Sequence, residues 1–115
     1  MELPGRQTWT EGQSECMKLG GNLVSVTNEE TVEFVTQLQT RARALWTGGK
    51  DEGTHGVFTN VNGDPFNNSM FDQNQPDEQL PVRCVFLRYP IDVQRPRLLH
   101  DDDCLAEYTI MCERQ

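Results

Sequence analysis

The chain has 115 residues and a formal net charge of -8, from 18 acidic and 10 basic side chains. This length predicts a single domain over residues 1–115 that is large enough to bury a core. The charge disfavours nucleic acid and anionic membranes as partners, although an acidic surface can also serve solubility alone. No stretch approaches the ~20 apolar residues of a membrane span, so membrane insertion is not expected.

The cysteine content indicates an oxidising compartment. The four cysteines form neither a Cys-x-x-Cys pair nor zinc-finger spacing, so disulfide bonds are the expected use. Four cysteines allow three pairings, and their spacing does not choose among them. The first ten residues lack the apolar core of a signal peptide, so in a secreted protein the signal has been removed and Met1 takes its place. The cysteines are Cys16, Cys84, Cys104 and Cys112.

A first helix is predicted from a capping box. Thr8 is followed three residues later by Glu11, and the glycines at 20 and 21 end the apolar periodicity. Cys16 therefore falls on a buried helix face. The side chains that share this face are Trp9, Gly12, Cys16 and Leu19.

Further elements follow in short segments. Residues 22–26 are predicted as a strand, and a second capping box at Thr27 and Glu30 begins a helix that ends near Thr40. Asn62 and Gly63 suit a tight turn between strands. Three more strands are predicted at residues 44–49, where glycines stop the strand, at 84–89 and at 106–113.

The segment between about residues 64 and 83 carries no regular pattern. It is rich in Asn, Gln, Asp and Pro, and loops of this length inside a compact domain are usually functional. Cys84 fixes one of its ends. Two helices and several short strands around one long loop predict an α+β domain.

Four stretches carry a family resemblance, which covers nearly the whole chain. Their order and their spacing around the cysteines resemble the C-type lectin-like domain, an α+β fold of two helices and short antiparallel strands with a long ligand-binding loop. This resemblance implies the disulfides Cys16–Cys112 and Cys84–Cys104. It also implies a first strand, which is expected to be abbreviated or missing here because few residues precede the first helix. The stretches are TWTEGQSECMKLGGNLVSV, LWTGGKDEGTHGVFTNVNG, QPD and HDDDCLAEYTIMCE.

The resemblance further implies carbohydrate binding through calcium in the long loop. Gln75 and Asp77 flank Pro76 at the positions that the family uses for both sugar and metal. In the family, QPD in place of EPN goes with galactose-type sugars. Asp101 matches the acid of the family's WND triplet and His100 replaces its amide, so we assign both to the sugar site and Asp101 to the metal.

The chain departs from the family pattern at other calcium ligands. Val82 stands at the place of the family's glutamate and Arg83 follows it, although Glu78 could reach inward as a substitute. Calcium takes six to eight oxygen ligands, so this short ligand set predicts weak binding, about 10⁻⁴ to 10⁻³ M. An accessory calcium site is not expected, because Asp51 matches it but His55 stands where an acid is needed.

Zinc is an alternative metal. His100 beside the acids at 101, 102 and 103 could bind it, because zinc accepts imidazole and carboxylate together. His100 could equally be a hydrogen-bonded or solvated surface residue. Trp9, Trp46 and Leu99 are expected in the core. Asn67 begins an Asn-Asn-Ser glycosylation sequon.

Two functions follow from these observations. The first is a soluble, secreted lectin for galactose-type sugars or bacterial cell-wall glycans, with a role in innate pattern recognition. The second is a C-type lectin-like module that has lost its metal and binds a protein partner. An enzyme is not expected, because no nucleophile, base and orienting group form a recognisable motif.

Overall fold

The computed structural model describes residues 2–26, 44–52, 58–63, 82–88 and 99–114. Within these ranges the chain forms one α-helix and seven β-strands, which confirms the α+β class. No helix among the described residues is long and apolar enough to cross a membrane. The predicted second helix lies outside these ranges. The elements are β1 (Glu2–Gln7), α1 (Trp9–Lys18), β2 (Gly21–Leu23), β3 (Ala44–Glu52), β4 (Thr59–Asn60), β5 (Val82–Arg88), β6 (Leu99–Asp103) and β7 (Tyr108–Arg114).

The predicted first helix is confirmed together with its capping box. The backbone N–H of Glu11 donates to Thr8 Oγ1 at 3.3 Å, and that of Thr8 donates to Glu11 Oε1 at 3.1 Å. Leu19 was predicted on the buried face, but it is 51% exposed. It lies beyond the last helical residue, where Gly20 at φ +84° turns the chain. The buried helix residues are Trp9, Gly12 and Cys16.

The first strand is present, contrary to the expectation that it would be abbreviated or missing. β1 has six residues and pairs antiparallel with β7. Its register shifts between Leu3 and Arg6, where Pro4 and Gly5 lie, and Gly5 has φ +82°. Proline and a positive-φ glycine are tolerated because β1 is an edge strand and they fall at its irregularity.

The glycines near residue 48 do not end β3, so this part of the prediction was wrong. β3 continues to Glu52, with a register shift against β5 between Trp46 and Lys50. A Cβ atom on Gly48 would lie 3.0 Å from Val61 Cγ2 and 3.2 Å from the Leu23 carbonyl oxygen. The glycine therefore permits a close approach of neighbouring segments.

The main sheet has the strand order β1-β7-β3-β5-β6, with β2 also paired to β7 and β4 to β3. β3 and β7 run parallel, whereas β5 is antiparallel to both β3 and β6. The sequence did not predict β6, because LHDDD lacks the β-branched and aromatic residues typical of strands. Side chains alternate along a strand, so Leu99 and Asp101 share one face of the sheet and His100 and Asp102 share the other.

Among the described residues, two apolar clusters form the core, one on each face of the sheet. Consecutive residues such as Leu45 and Trp46, or Val85 and Phe86, belong to different clusters, as alternation requires. The core positions of Trp9, Trp46 and Leu99 are confirmed. The Val85 cluster contains Val24, Val26, Leu45, Phe58, Val85, Leu87, Leu99 and Met111. The Trp46 cluster contains Trp9, Cys16, Leu23, Trp46, Cys84, Phe86, Ile110 and Cys112.

The disulfides have the pairing that the resemblance implies. Cys16–Cys112 joins α1 to β7 across a sequence separation of 96, and Cys84–Cys104 joins β5 to the turn after β6 across a separation of 20. The Trp9 backbone N–H also donates to the Cys104 carbonyl oxygen at 3.0 Å. The turn after β6 therefore connects to the start of α1 by this hydrogen bond and to β5 by the disulfide.

Candidate functional site

The predicted site residues divide between described and undescribed parts of the chain. His100 and Asp101 lie in β6, whereas Gln75, Asp77 and Glu78 fall outside the described residues, so their roles stay predictions. The segment 64–81 that contains them leads directly into β5, which pairs with β6. The site that can be described is therefore the β3-β5-β6 part of the sheet.

A buried arginine binds two buried aspartates in this part of the sheet. Arg83 Nη2 donates to Asp51 Oδ2 at 2.7 Å, and Arg83 Nη1 donates to Asp101 Oδ2 at 3.4 Å. The three side chains are 4%, 2% and 0% exposed for Arg83, Asp51 and Asp101. We call these residues the Arg83 triad.

Strand register explains how the triad assembles. Asp51 in β3 is the direct cross-strand partner of Arg83 in β5. Asp101 in β6 pairs with Val85, which lies on the same face as Arg83 two residues farther along β5. The Arg83 Cζ lies 5.0 Å from the centroid of the Phe58 ring, a cation–π contact. The triad therefore lies against the Val85 cluster, in which Phe58 is a member.

Burial makes the triad interdependent. It contains one positive and two negative side chains, and a buried carboxylate needs a cation or strong hydrogen bonds to offset the loss of hydration. Removing the arginine would leave both carboxylates without a cation, and loss of the partner of a buried charge typically costs about 3–5 kcal/mol. The Asp101 carboxylate therefore has a structural role in this domain.

The described residues do not fit a calcium site. Among them, no group of three or more His, Cys, Asp or Glu side chains is placed to hold a metal ion. Asp101, the predicted calcium ligand of β6, binds Arg83 instead. Its role as a metal or sugar ligand stays a prediction that would require exchange of this ion pair.

The zinc alternative finds no support in the geometry of β6. Alternation directs His100 and Asp102 to the face opposite Asp101 and Asp103, so the four side chains do not converge. The His100 ring stacks on the Phe86 ring, with centroids 5.4 Å apart and an interplanar angle of 26°. His100 is thus half-buried against the Trp46 cluster.

Sequence reasoning missed the structural role of Arg83. In the sequence this position stands only as a departure from the family's acidic run. The available signal was period-two alternation, because Arg83 is in phase with Val85 and Leu87, both of which are inward-facing residues of the Val85 cluster. An arginine in phase with core residues predicts a buried acidic partner.

Comparison with known proteins agrees with this fold. The family model for the lectin C-type domain matches residues 5–114. The galactose-specific lectin nattectin of Thalassophryne nattereri is 31% identical over 82 residues, which cover 68% of this chain and 52% of that protein. The type-2 ice-structuring protein of Hemitripterus americanus is 30% identical over 105 residues, which cover 91% of this chain and 61% of that protein. The chain thus spans only about half to three-fifths of these curated relatives.

Among solved structures, the trimeric Kupffer cell C-type lectin receptor Clec4f has a TM-score of 0.78 at 27% identity, with coverage of 100% of this chain and 76% of that chain. Domains of this kind are generally non-enzymatic modules that bind carbohydrate or protein. The match of the family model over almost the whole sequence is consistent with the disulfide pairing and the sheet order. The chain belongs to the C-type lectin domain family.

Proposed function

We propose that the chain is a secreted carbohydrate-binding domain, formed by residues 1–115, that recognises galactose-type sugars or microbial glycans in innate defence. Family membership and the sequence Gln75-Pro76-Asp77 support this proposal. The similarity to nattectin, which is named as a galactose-specific lectin, supports the sugar class.

The observation that carries the proposal is the base formed by β5 and β6, which are paired and joined to a disulfide. Segment 64–81 leads directly into β5 in the sequence. β5 begins at Val82. Two residues later, Cys84 forms a disulfide with Cys104. β5 and β6 are paired from Arg83–Asp103 to Leu87–Leu99. Binding residues commonly lie on loops held by a rigid scaffold, because hydrogen bonds to a polar ligand need fixed partners.

Gln75 and Asp77 supply suitable chemistry for a sugar. The Asp77 carboxylate accepts hydrogen bonds from hydroxyl groups, and the Gln75 amide both donates and accepts. The order of acid and amide around Pro76 determines which vicinal hydroxyl pair is matched. Because each hydrogen bond contributes only about 1 kcal/mol net, we expect a monosaccharide Kd on the order of 1 mM.

The cation in this proposal is weakly bound calcium. Arg83 binds Asp101, so the side chains that remain for a cation are Gln75, Asp77 and Glu78. Calcium takes six to eight oxygen ligands, so backbone carbonyls, water and sugar hydroxyls would supply the rest. We therefore expect a calcium Kd at the weak end of the extracellular range, about 10⁻³ M.

A second candidate function is a metal-independent module that binds a protein partner. The Arg83 triad favours this candidate, because its two buried carboxylates already share a cation that belongs to the chain. A surface built on this base would keep its shape without calcium.

Retention on a galactose resin tests the proposal. Wild-type protein is applied with calcium and with a chelator, beside Asp77→Ala and the control Asp72→Ala, which removes an acid from the same segment. We expect retention of wild type and Asp72→Ala in calcium, and loss of retention for Asp77→Ala. If the wild type does not bind sugar in either buffer, the lectin proposal is wrong and the protein-binding module is favoured.

A further inference from the structure

Two carboxylates that the family resemblance connects with calcium meet at one arginine. The resemblance assigns Asp101 to the sugar-linked calcium and matches Asp51 to the accessory calcium. In the structure, both carboxylates accept hydrogen bonds from Arg83. They come from β3 and β6, the two neighbours of β5 in the sheet.

We propose that the Arg83 guanidinium takes the place of a bound metal ion in this domain. A guanidinium carries a positive charge, and its planar fork of five N–H donors can bind two carboxylates at once. Because it is covalently part of β5, neither dilution nor a chelator removes it. The β3-β5-β6 part of the sheet therefore carries its own cation between Asp51 and Asp101, without calcium.

Arg83 and a calcium ion exclude each other at this place. The guanidinium nitrogen lies 2.7 Å from Asp51 Oδ2. A calcium ion bound to the same oxygen would lie about 2.3–2.6 Å from it, so the two cations would need nearly the same position. Both cations would compete for the same carboxylate oxygens, and their like charges repel strongly in a buried site. The Phe58 ring lies against the guanidinium, so this side of the triad is apolar.

This proposal does not depend on which ligand segment 64–81 binds. Its readout is the unfolding temperature with and without calcium, whereas the lectin proposal is read out by retention on sugar resin. A protein that fails to bind galactose can still pass the stability test, so the two failures are distinguishable.

The decisive variant is Arg83→Met, which keeps side-chain length and removes the charge. Arg88→Met is the matched control, because Arg88 lies in the same strand and is exposed. Unfolding temperatures are measured in chelator and in about 10 mM calcium. This concentration exceeds the weak Kd range of extracellular calcium sites.

We expect calcium to raise the unfolding temperatures of wild type and Arg88→Met equally, by no more than weak calcium binding at segment 64–81 supplies. Arg83→Met should unfold at a lower temperature than wild type in chelator and gain roughly 5 °C more than wild type in calcium, because calcium can then also bind Asp51 and Asp101. If Arg83→Met does not refold, Arg83→Gln is the milder variant, since its amide can still donate to one carboxylate. The proposal is overturned if calcium raises the unfolding temperature of the folded Arg83 variants by no more than it raises that of wild type and Arg88→Met.

Discussion

Tyr108 Oη donates a hydrogen bond to Asp102 Oδ2 at 2.5 Å, which connects β7 to β6 across the intervening turn. The tyrosine ring is stacked on Phe86, with centroids 4.4 Å apart. The neighbouring acid is also used within the domain, because Asp103 Oδ1 accepts from the Leu105 N–H at 3.0 Å. The acidic run that the sequence indicates as cation-binding therefore accepts hydrogen bonds from β7 and from the turn that follows β6.

The Tyr108–Asp102 hydrogen bond should be measurable as a coupling energy. Tyr108→Phe keeps the stacked ring but removes a hydrogen bond to a charged acceptor, which typically contributes about 1.5–3 kcal/mol. We expect a loss at the lower end of this range, because both side chains are half-buried. Urea unfolding of Tyr108→Phe, Asp102→Asn and the double variant measures the coupling. A coupling near zero would contradict the structural role of Asp102.

The two aspartates of the Arg83 triad should differ in their contribution to stability. Asp51→Asn weakens a 2.7 Å charge-assisted hydrogen bond and is expected to cost about 2–3 kcal/mol. Asp101→Asn affects a 3.4 Å contact and leaves a neutral Asp51–Arg83 pair, so we expect about 1 kcal/mol. Denaturant unfolding gives both values, with exposed Glu107→Gln as the control. The reverse order would argue against this geometry.

The two disulfides should stabilise the domain to different extents. In the chain-entropy model, a bridge across 20 residues contributes about 3 kcal/mol and one across 96 residues about 5 kcal/mol. Paired alanine replacements of Cys84 and Cys104, or of Cys16 and Cys112, measured by urea unfolding, give the two losses. The Cys16–Cys112 pair is expected to cost more, and equal losses would indicate that loop entropy does not dominate.

Gly12 in α1 is required by packing against Ile110. A Cβ atom at this position would overlap Ile110 Cδ1 and lie 2.9 Å from its Cγ1. Gly12→Ala should therefore destabilise the domain by about 1–3 kcal/mol from overpacking, despite a helix propensity gain of up to about 1 kcal/mol. Thermal unfolding measures the net effect, with Ser14→Ala as the exposed control in the same helix.

A compensating change tests the cause of this effect. Ile110→Val removes the Cδ1 atom, so it should recover part of the stability that Gly12→Ala loses. If the double variant is less stable than the sum of the two single losses predicts, contact with Ile110 is not the reason for glycine at position 12.

Local signals predicted the parts of the fold that local interactions form. The capping box of Thr8 and Glu11 lies within three residues, and it correctly predicts where α1 begins. The pairing of the cysteines was implied by family resemblance, since spacing alone leaves three pairings open. The same resemblance implied a first strand, but a sequence with Pro4 and Gly5 did not reveal that the strand pairs with β7 on both sides of an irregularity.

The parts that the sequence did not predict depend on contacts between distant residues. Arg83 lies 18 residues from Asp101 and 32 from Asp51, so no local pattern shows that these charges meet. β6 is buried on one face because Leu99 packs in the core and Asp101 forms an ion pair with Arg83 of the neighbouring strand. Without knowledge of that cation, an acidic run is more naturally interpreted as exposed or metal-binding.

Recognition of galactose through Gln75 and Asp77 is the central functional claim, and exchanging the acid and the amide tests it most directly. The double variant Gln75→Glu/Asp77→Asn changes QPD to EPN without altering the number of side-chain atoms that can hydrogen-bond. Calorimetric titration of wild type and variant with galactose and mannose measures the preference. We predict that wild type prefers galactose and that the exchange shifts the preference to mannose. A wild type that binds neither sugar, or an exchange that leaves the galactose preference intact, would contradict the claim.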